Sequence, residues 1–384
     1  HETMTVELSG FKGWIPFDFS LDTVRLSDAQ GAFLDIRQAR LSWSLVDLLQ
    51  GSIRLQDIGA GSVHLQRLPV QPDQPAPEKE QSKAAFRLWP VRIDQVDFPA
   101  ISLGSELLGQ EAVFALHGDL DLRSLQRFKS RLQLERIDRP GLSTRLQADC
   151  TQPELKLDWR LQAPKNGLLQ VLTKQPLPGD LDLQLQGSGP PETWSGRLDL
   201  SMGDRQVLNT QLQLGFTPPD IALTSQGRFQ AADFLPPPYA RLVEDPASLP
   251  FSLDLGYNQD TQRIHFKNLQ LATHWGKLHL AGTADVARRT LKQQVRLQLT
   301  QLAGLQPLLS QAISGTADIE AAVQGPWDLP SADLKCSTRE IRFGEFQAAD
   351  TVVNLQIEPQ QDAPASVHSI GIQGDLQSRE LSHA

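Results

Sequence analysis

Residues Phe11 to Pro69 read FKGWIPFDFSLDTVRLSDAQGAFLDIRQARLSWSLVDLLQGSIRLQDIGAGSVHLQRLP. Apolar and polar residues alternate through Phe17, Phe19 and Leu21, through Leu34 and Ile36, and after a phase slip through Leu41 and Trp43. A period of two places successive side chains on opposite sides of a strand, so the stretch reads as β structure with one face turned from water. The pattern breaks once. Ser44 and Asp47 have the spacing of a capping box, Leu45, Leu48 and Leu49 share one helical face, and Gly51 can close the turn in a left-handed conformation. One short helix is predicted among the strands.

The alternation continues down the chain. It runs through Leu132 and Leu134; Leu155, Leu157 and Trp159; Leu181, Leu183 and Leu185; Leu198 and Leu200; Leu212, Leu214 and Phe216; and Phe251, Leu253, Leu255 and Tyr257. Beyond these it runs through Phe266; Leu278 and Leu280; Val295, Leu297 and Leu299; Ile319; and Val353, Leu355 and Ile357. Gly or Pro punctuates it every ten to twelve residues or so, the spacing of successive antiparallel strands. The expected fold is all-β, a long antiparallel β-meander. Short helices are expected at Gly167 to Lys174, around Pro236 to Pro246, and in LAGLQPLLSQ from Leu302, each as a connector packed on a sheet margin. The stretch QPDQPAPEKEQSKAA has no apolar periodicity and reads as a loop over 69–85. It is expected to sit within one sheet, between a segment 1–68 and a continuing segment 86–384.

Composition narrows the chemistry. Hydrophobic residues are 40% of the 384, but aromatics only 6%, so the buried side is aliphatic. A net charge of -9 gives no basic field for nucleic acid or an anionic membrane surface. No run of about 18 apolar residues appears, so the chain as given is not expected to span a bilayer by a helix. Cys150 and Cys336 are in phase with apolar neighbours and read as buried thiols in preference to a bridge.

No catalytic constellation is found. Gly187, Ser188 and Gly189 are followed by Pro190 and Pro191, which cannot supply the free amides of a phosphate loop. Asp119 with Asp121, and Asp180 with Asp182, lie two apart on strands and read as solvated decoration. His265, His274 and His279 fall on the polar side of two adjoining strands, with no carboxylate or Cys at a ligand spacing. No enzyme activity, cofactor or metal is expected.

What remains is the aliphatic face. An open sheet in water cannot leave so large an apolar area bare. It either closes into a sandwich or barrel, or forms a trough that binds something. A transmembrane barrel also alternates, but the 26 prolines, two tyrosines and lack of aromatic girdles argue against it.

Several runs resemble the start of the periplasmic part of the TamB family, within the AsmA-like superfamily. They are Gly13, Ile15, Pro16, Phe17 and Asp18; Leu26 to Gly31; Leu41, Trp43 and Ser44; Leu48 to Gly51; and Arg67, Leu68 and Pro69. Pro90 to Leu122 and Leu302 to Glu358 resemble the family too. The resemblance implies a taco-like β groove conducting phospholipid acyl chains between the inner and outer membranes, in the periplasm, with an inner-membrane anchor upstream. It also implies the alternative that the family is associated with, assembly of outer-membrane β-barrel proteins and autotransporters with the outer-membrane barrel TamA, in the translocation and assembly module. On the first reading the alternating residues above from Leu132 to Ile357, other than Trp159 and Tyr257, line the groove. The helix bearing Leu45, Leu48 and Leu49 then stands at the end where lipid would come in.

Overall fold

A computed structural model describes every residue except 1–3, 15–16, 70–89, 125–126, 152, 175–176, 231, 233–234, 236, 244–247, 360–369, 380–381 and 384. The loop expected over 69–85 therefore lies almost wholly outside the described residues. Two compact units divide the chain, residues 1–190 with 200–205, and 191–199 with 206–384.

The first unit contains β1 (Thr5–Ser9), β2 (Lys12–Trp14), β3 (Asp18–Asp28), β4 (Gly31–Trp43), α1 (Leu45–Leu49), β5 (Ile53–Gly59) and β6 (Ser62–Leu65). It continues with β7 (Val91–Leu103), α2 (Ser105–Leu108), β8 (Ala112–Ser124), β9 (Arg127–Arg136), β10 (Ser143–Thr151), β11 (Glu154–Ala163), α3 (Leu168–Thr173) and β12 (Leu181–Gly189). A 3-10 turn (Pro191–Thr193) precedes β13 (Trp194–Met202), which carries residues of both units. The second unit contains β14 (Arg205–Thr217) from Gln206 onward, β15 (Asp220–Phe229), α4 (Pro237–Ala240), β16 (Leu249–Asn258), β17 (Arg263–Ala272), β18 (Gly276–Asp285) and β19 (Thr290–Leu299). A 3-10 helix (Leu302–Leu308), β20 (Ile313–Pro326), β21 (Ser331–Phe343), β22 (Phe346–Pro359), β23 (Ile370–Arg379) and β24 (Ser382–His383) complete it. The fold is all-β and an antiparallel meander, and no helix among the described residues is long and apolar enough to cross a membrane.

One place departs from the meander. β5 and β6 together form a kinked partner antiparallel to β4, and both pair in parallel with β7. Parallel neighbours cannot be joined by a hairpin, so the chain re-enters β7 at Val91, beside Ile53 where β5 began. The segments flanking 69–85 belong to one sheet. The phase slip expected before Leu41 is also present: Gln38 adopts φ 52°, which resets the alternation inside β4, and Glu340 does the same in β21 with φ 50°.

Neighbouring antiparallel strands turn at alternate ends, and the two ends differ. In the first unit α2, the 137–142 loop and α3 lie at one end, while β8–β9 and β10–β11 connect at the other across two residues each. In the second unit the α4 and 3-10 connections share one end, and four-residue or shorter links occupy the other from β14 to β21. Three clusters of buried residues sit at these helix-bearing ends. They centre on Ala112, Phe114 and Leu168; on Val243 and Leu249; and on Leu299, Leu302 and Ala317. The three connector helices expected from sequence occur as α3, α4 and the Leu302–Leu308 turn, and α2 is a further short helix between Gly104 and Gly109.

Arg136 is buried at the first of these ends, with Nε 2.8 Å from Asp138 Oδ1, and the Val113 amide donates to the same carboxylate at 3.1 Å. The Arg136 bond foremost, against the opposing effect of burial, holds the Asp138 carboxyl well below the usual carboxylate range. A group depressed in this way stabilises the fold above its unfolded pKa of about 4 and loses that contribution as the pH falls. Asp138→Asn is expected to flatten the decline of Tm between about pH 4 and pH 2. A mutant with the wild-type acid limb would show that the pair contributes nothing.

Candidate functional site

The strand registers bring the aliphatic side chains into rows. In the first unit one row crosses five strands as Leu116, Leu134, Thr144, Leu161 and Leu183, and the next as Gly118, Leu132, Leu146, Trp159 and Leu185. Leu157 and Leu155 lie in the next two rows, opposite Ala148 and Cys150. In the second unit one row runs Leu212, Ser225, Leu253, Leu269, Leu280, Val295, Ala321, Leu334, Leu355 and Gly374, from β14 to β23. At about 4.8 Å per strand this row is about 40 Å long. Leu214, Leu255 and Phe266 lie in the row on one side, and Phe251, Leu278, Leu297, Ile319 and Val353 on the other. Phe216 and Ile357 lie further out, opposite Ile221 and Ala332, and Leu299 is opposite Ala317.

Burial decides what these rows are. Of the twenty-five alternating residues from Leu132 to Ile357 assigned to the groove, Leu181 and Leu299 are buried, Leu132 and Phe216 are exposed, and the rest are half-buried. A residue under a second layer has almost no exposed surface, so these side chains are covered by their lateral neighbours and open above, apart from Leu278 and Leu297, which lie beneath the connection that carries α4. Leu198 and Leu200 of β13 are half-buried likewise. Two polar residues interrupt the face without cost: Thr210 and Ser225 share a 2.7 Å hydrogen bond, and Thr210 also donates to the Gln226 carbonyl at 2.9 Å.

The opposite face is charged. Arg131 pairs with Asp119 at 2.8 Å, Lys129 with Asp149 at 2.9 Å and Arg263 with Asp285 at 3.2 Å. Exposed pairs of this kind stabilise the fold little, but they mark the side that faces water. The acidic pairs noted in the sequence have structural partners: Asp121 binds Arg123, Asp180 accepts from the Lys165 amide, and Asp182 accepts from Gln162. Gly187, Ser188 and Gly189 are strand residues of β12. His265 is opposite Thr283, whereas His279 is opposite Gln270, five residues further along β17 and so roughly 15 Å away. Among the described residues no group of three His, Cys, Asp or Glu is placed to hold a metal ion. Cys150 and Cys336 are thiols, the first buried and the second half-buried, and burial pushes the Cys336 thiol up.

α1 forms where the capping signal places it. The Ser44 hydroxyl accepts from the Asp47 amide at 3.3 Å, and Gly51 has φ 77°. Its apolar side is not packed away: Leu48 is half-buried, but Leu45 and Leu49 are 41% and 79% exposed. The helix therefore stabilises little of the core.

Sequence reading missed Leu146, Leu269, Leu271 and Leu334 as face residues. For Leu269 and Leu271 the reason is a β-bulge after Phe266, in which the extra residue Lys267 keeps Phe266 and Leu269 on one side despite their odd spacing. The signal was present as the slip in RIHFKNLQLA. Fold and site together define an all-β meander protein with an open aliphatic sheet face and a charged reverse. Compared with protein-family models, curated proteins and solved structures, the chain matches none.

Proposed function

We propose that the aliphatic face is a lipid-conducting surface, along which phospholipid acyl chains move while their head groups stay in water, and that the sheet curls around them as a groove. The carrying observation is the row from Leu212 to Leu355, whose apolar side chains are half-buried and which Ser225 alone interrupts. Burying a methylene is worth about 0.8 kcal/mol, so a sixteen-carbon chain crossing water bare faces a cost on the order of 12 kcal/mol. A face of near-uniform leucines removes most of that cost without a deep trap at any one strand. It needs no reacting group, and the charged groups described above are engaged in ion pairs on the other side. The resemblance to the TamB family supports the same reading, with a periplasmic chain anchored upstream in the inner membrane, and α1 exposed at one end of its unit suits a place where lipid comes in.

Photo-crosslinking residues at Leu183, Leu214 and Leu255 test it. Capture of phospholipid at all three is the expected result. Capture of unfolded barrel polypeptide alone, along strand edges rather than at these leucines, would replace lipid conduction by β-strand assembly with a partner such as TamA.

A further inference from the structure

We infer that the second unit contains one discrete acyl-chain site, a pocket at the helix-bearing end of the face where the tail of a single amphiphile rests. This deepens the lipid reading and rests on it. The pocket is a cavity of about 490 Å³. Leu271, Leu278 and Leu297, lateral neighbours on β17, β18 and β19, form its floor. The connection carrying α4 contributes Tyr239 and Leu242 above them, and Trp275 stands at the end.

The polar atoms around it are committed elsewhere. The Trp275 indole N–H donates to the Leu242 carbonyl at 2.8 Å, which ties the overlying connection to the sheet. Gly304 packs so close behind that a Cβ there would come within 2.4 Å of the Trp275 Cβ, so the ring is held from both sides. The Thr273 hydroxyl donates to the Gly276 carbonyl at 3.1 Å. Tyr239, 51% exposed, is the polar side chain left at the mouth. A peptide would bring an amide and a carbonyl per residue into a space with nothing to bind them. A small polar ligand would be no better served, since sites of this volume recognise such ligands through a few convergent polar groups. An unbranched hydrocarbon tail satisfies the lining, with its head outside beside Tyr239. Elsewhere on the face a tail has neighbours below and beside it. Here it has them above as well, so tails dwell longest at this end.

A diazirine-bearing long-chain fatty acid, photolysed with the wild-type chain, is expected to label the peptides containing Tyr239, Leu242 and Leu271 to Leu278, saturating at one per chain. Leu278→Trp, which fills the floor, is expected to weaken cis-parinaric acid binding about tenfold or more, the equivalent of ~1.4 kcal/mol, whereas Gln294→Glu, on the charged reverse of the sheet, leaves it unchanged. Labelling spread over the strands, or undiminished parinaric acid affinity in Leu278→Trp, overturns the inference. The two readings fail separately. Crosslinks at Leu183, Leu214 and Leu255 with an unlabelled pocket remove the pocket alone, and a labelled pocket with no lipid at those three positions removes conduction.

Discussion

Leu299→Ala is expected to lower the unfolding free energy of the second unit by about 2–5 kcal/mol, whereas Leu253→Ala costs about 1 kcal/mol. The two leucines are the same residue type on the same kind of strand, and they differ in what lies above them. Leu299 is 4% exposed in a cluster with Leu302 and Ala317, and Trp275, Leu305 and Ile341 pack on that cluster. Deleting its side chain leaves a cavity that close-packed neighbours cannot fill. Leu253 has Ser225 and Leu269 beside it and is half-buried, so its removal loses lateral contact and leaves no enclosed void. Denaturant unfolding of the two variants measures the difference. Equal losses would mean that the middle of the face is an ordinary covered core, and the proposal of a conducting surface would fall with it.

Much of this arrangement is written in the period of two. A strand with one face in water must alternate, and Leu132 with Leu134 or Leu253 with Leu255 declare their side without any partner strand in view. The connector helices are legible for a related reason, because an apolar stripe at helical spacing, as in Leu168, Leu169 and Leu172, has no use at a tight turn. Other features depend on a neighbour and so escape a single stretch of sequence. The bulge at Lys267 exists only as two residues facing one, the left-handed Gln38 and Glu340 carry no glycine to announce them, and the parallel pairing of β5 and β6 with β7 joins strands across the 69–85 segment. The bond from Trp275 to the Leu242 carbonyl spans two connections at one margin. Whether the face is open or roofed was also illegible, since a sandwich strand and a groove strand share one period. Exposure of the individual leucines separates them, and the pocket under α4 follows from that separation.

The largest functional effect is expected at Leu280. It sits mid-row between Leu269 and Val295, far from either end of β18, so a carboxylate there interrupts the aliphatic surface where a passing chain has about half of the row still to cross. Leu280→Glu is expected to reduce transfer of fluorescent phospholipid by the purified chain to about a tenth or less, because a tail at this strand must displace the water of an ionised group. The stability loss should stay near 1 kcal/mol, since Leu280 is half-buried on a face open above and the longer Glu side chain can turn its charge outward. Gln294→Glu is the matching control. Gln294 is exposed on the charged side of the adjacent β19, opposite Ala281 and Ala322, and adding a charge there should leave transfer unaltered. Leu280→Met, which keeps the hydrocarbon, should retain most of the wild-type rate. Full transfer by Leu280→Glu would show that acyl chains do not travel along this row, whatever else the face binds, while equal losses in Leu280→Glu and Gln294→Glu would trace the effect to net charge rather than to the surface itself.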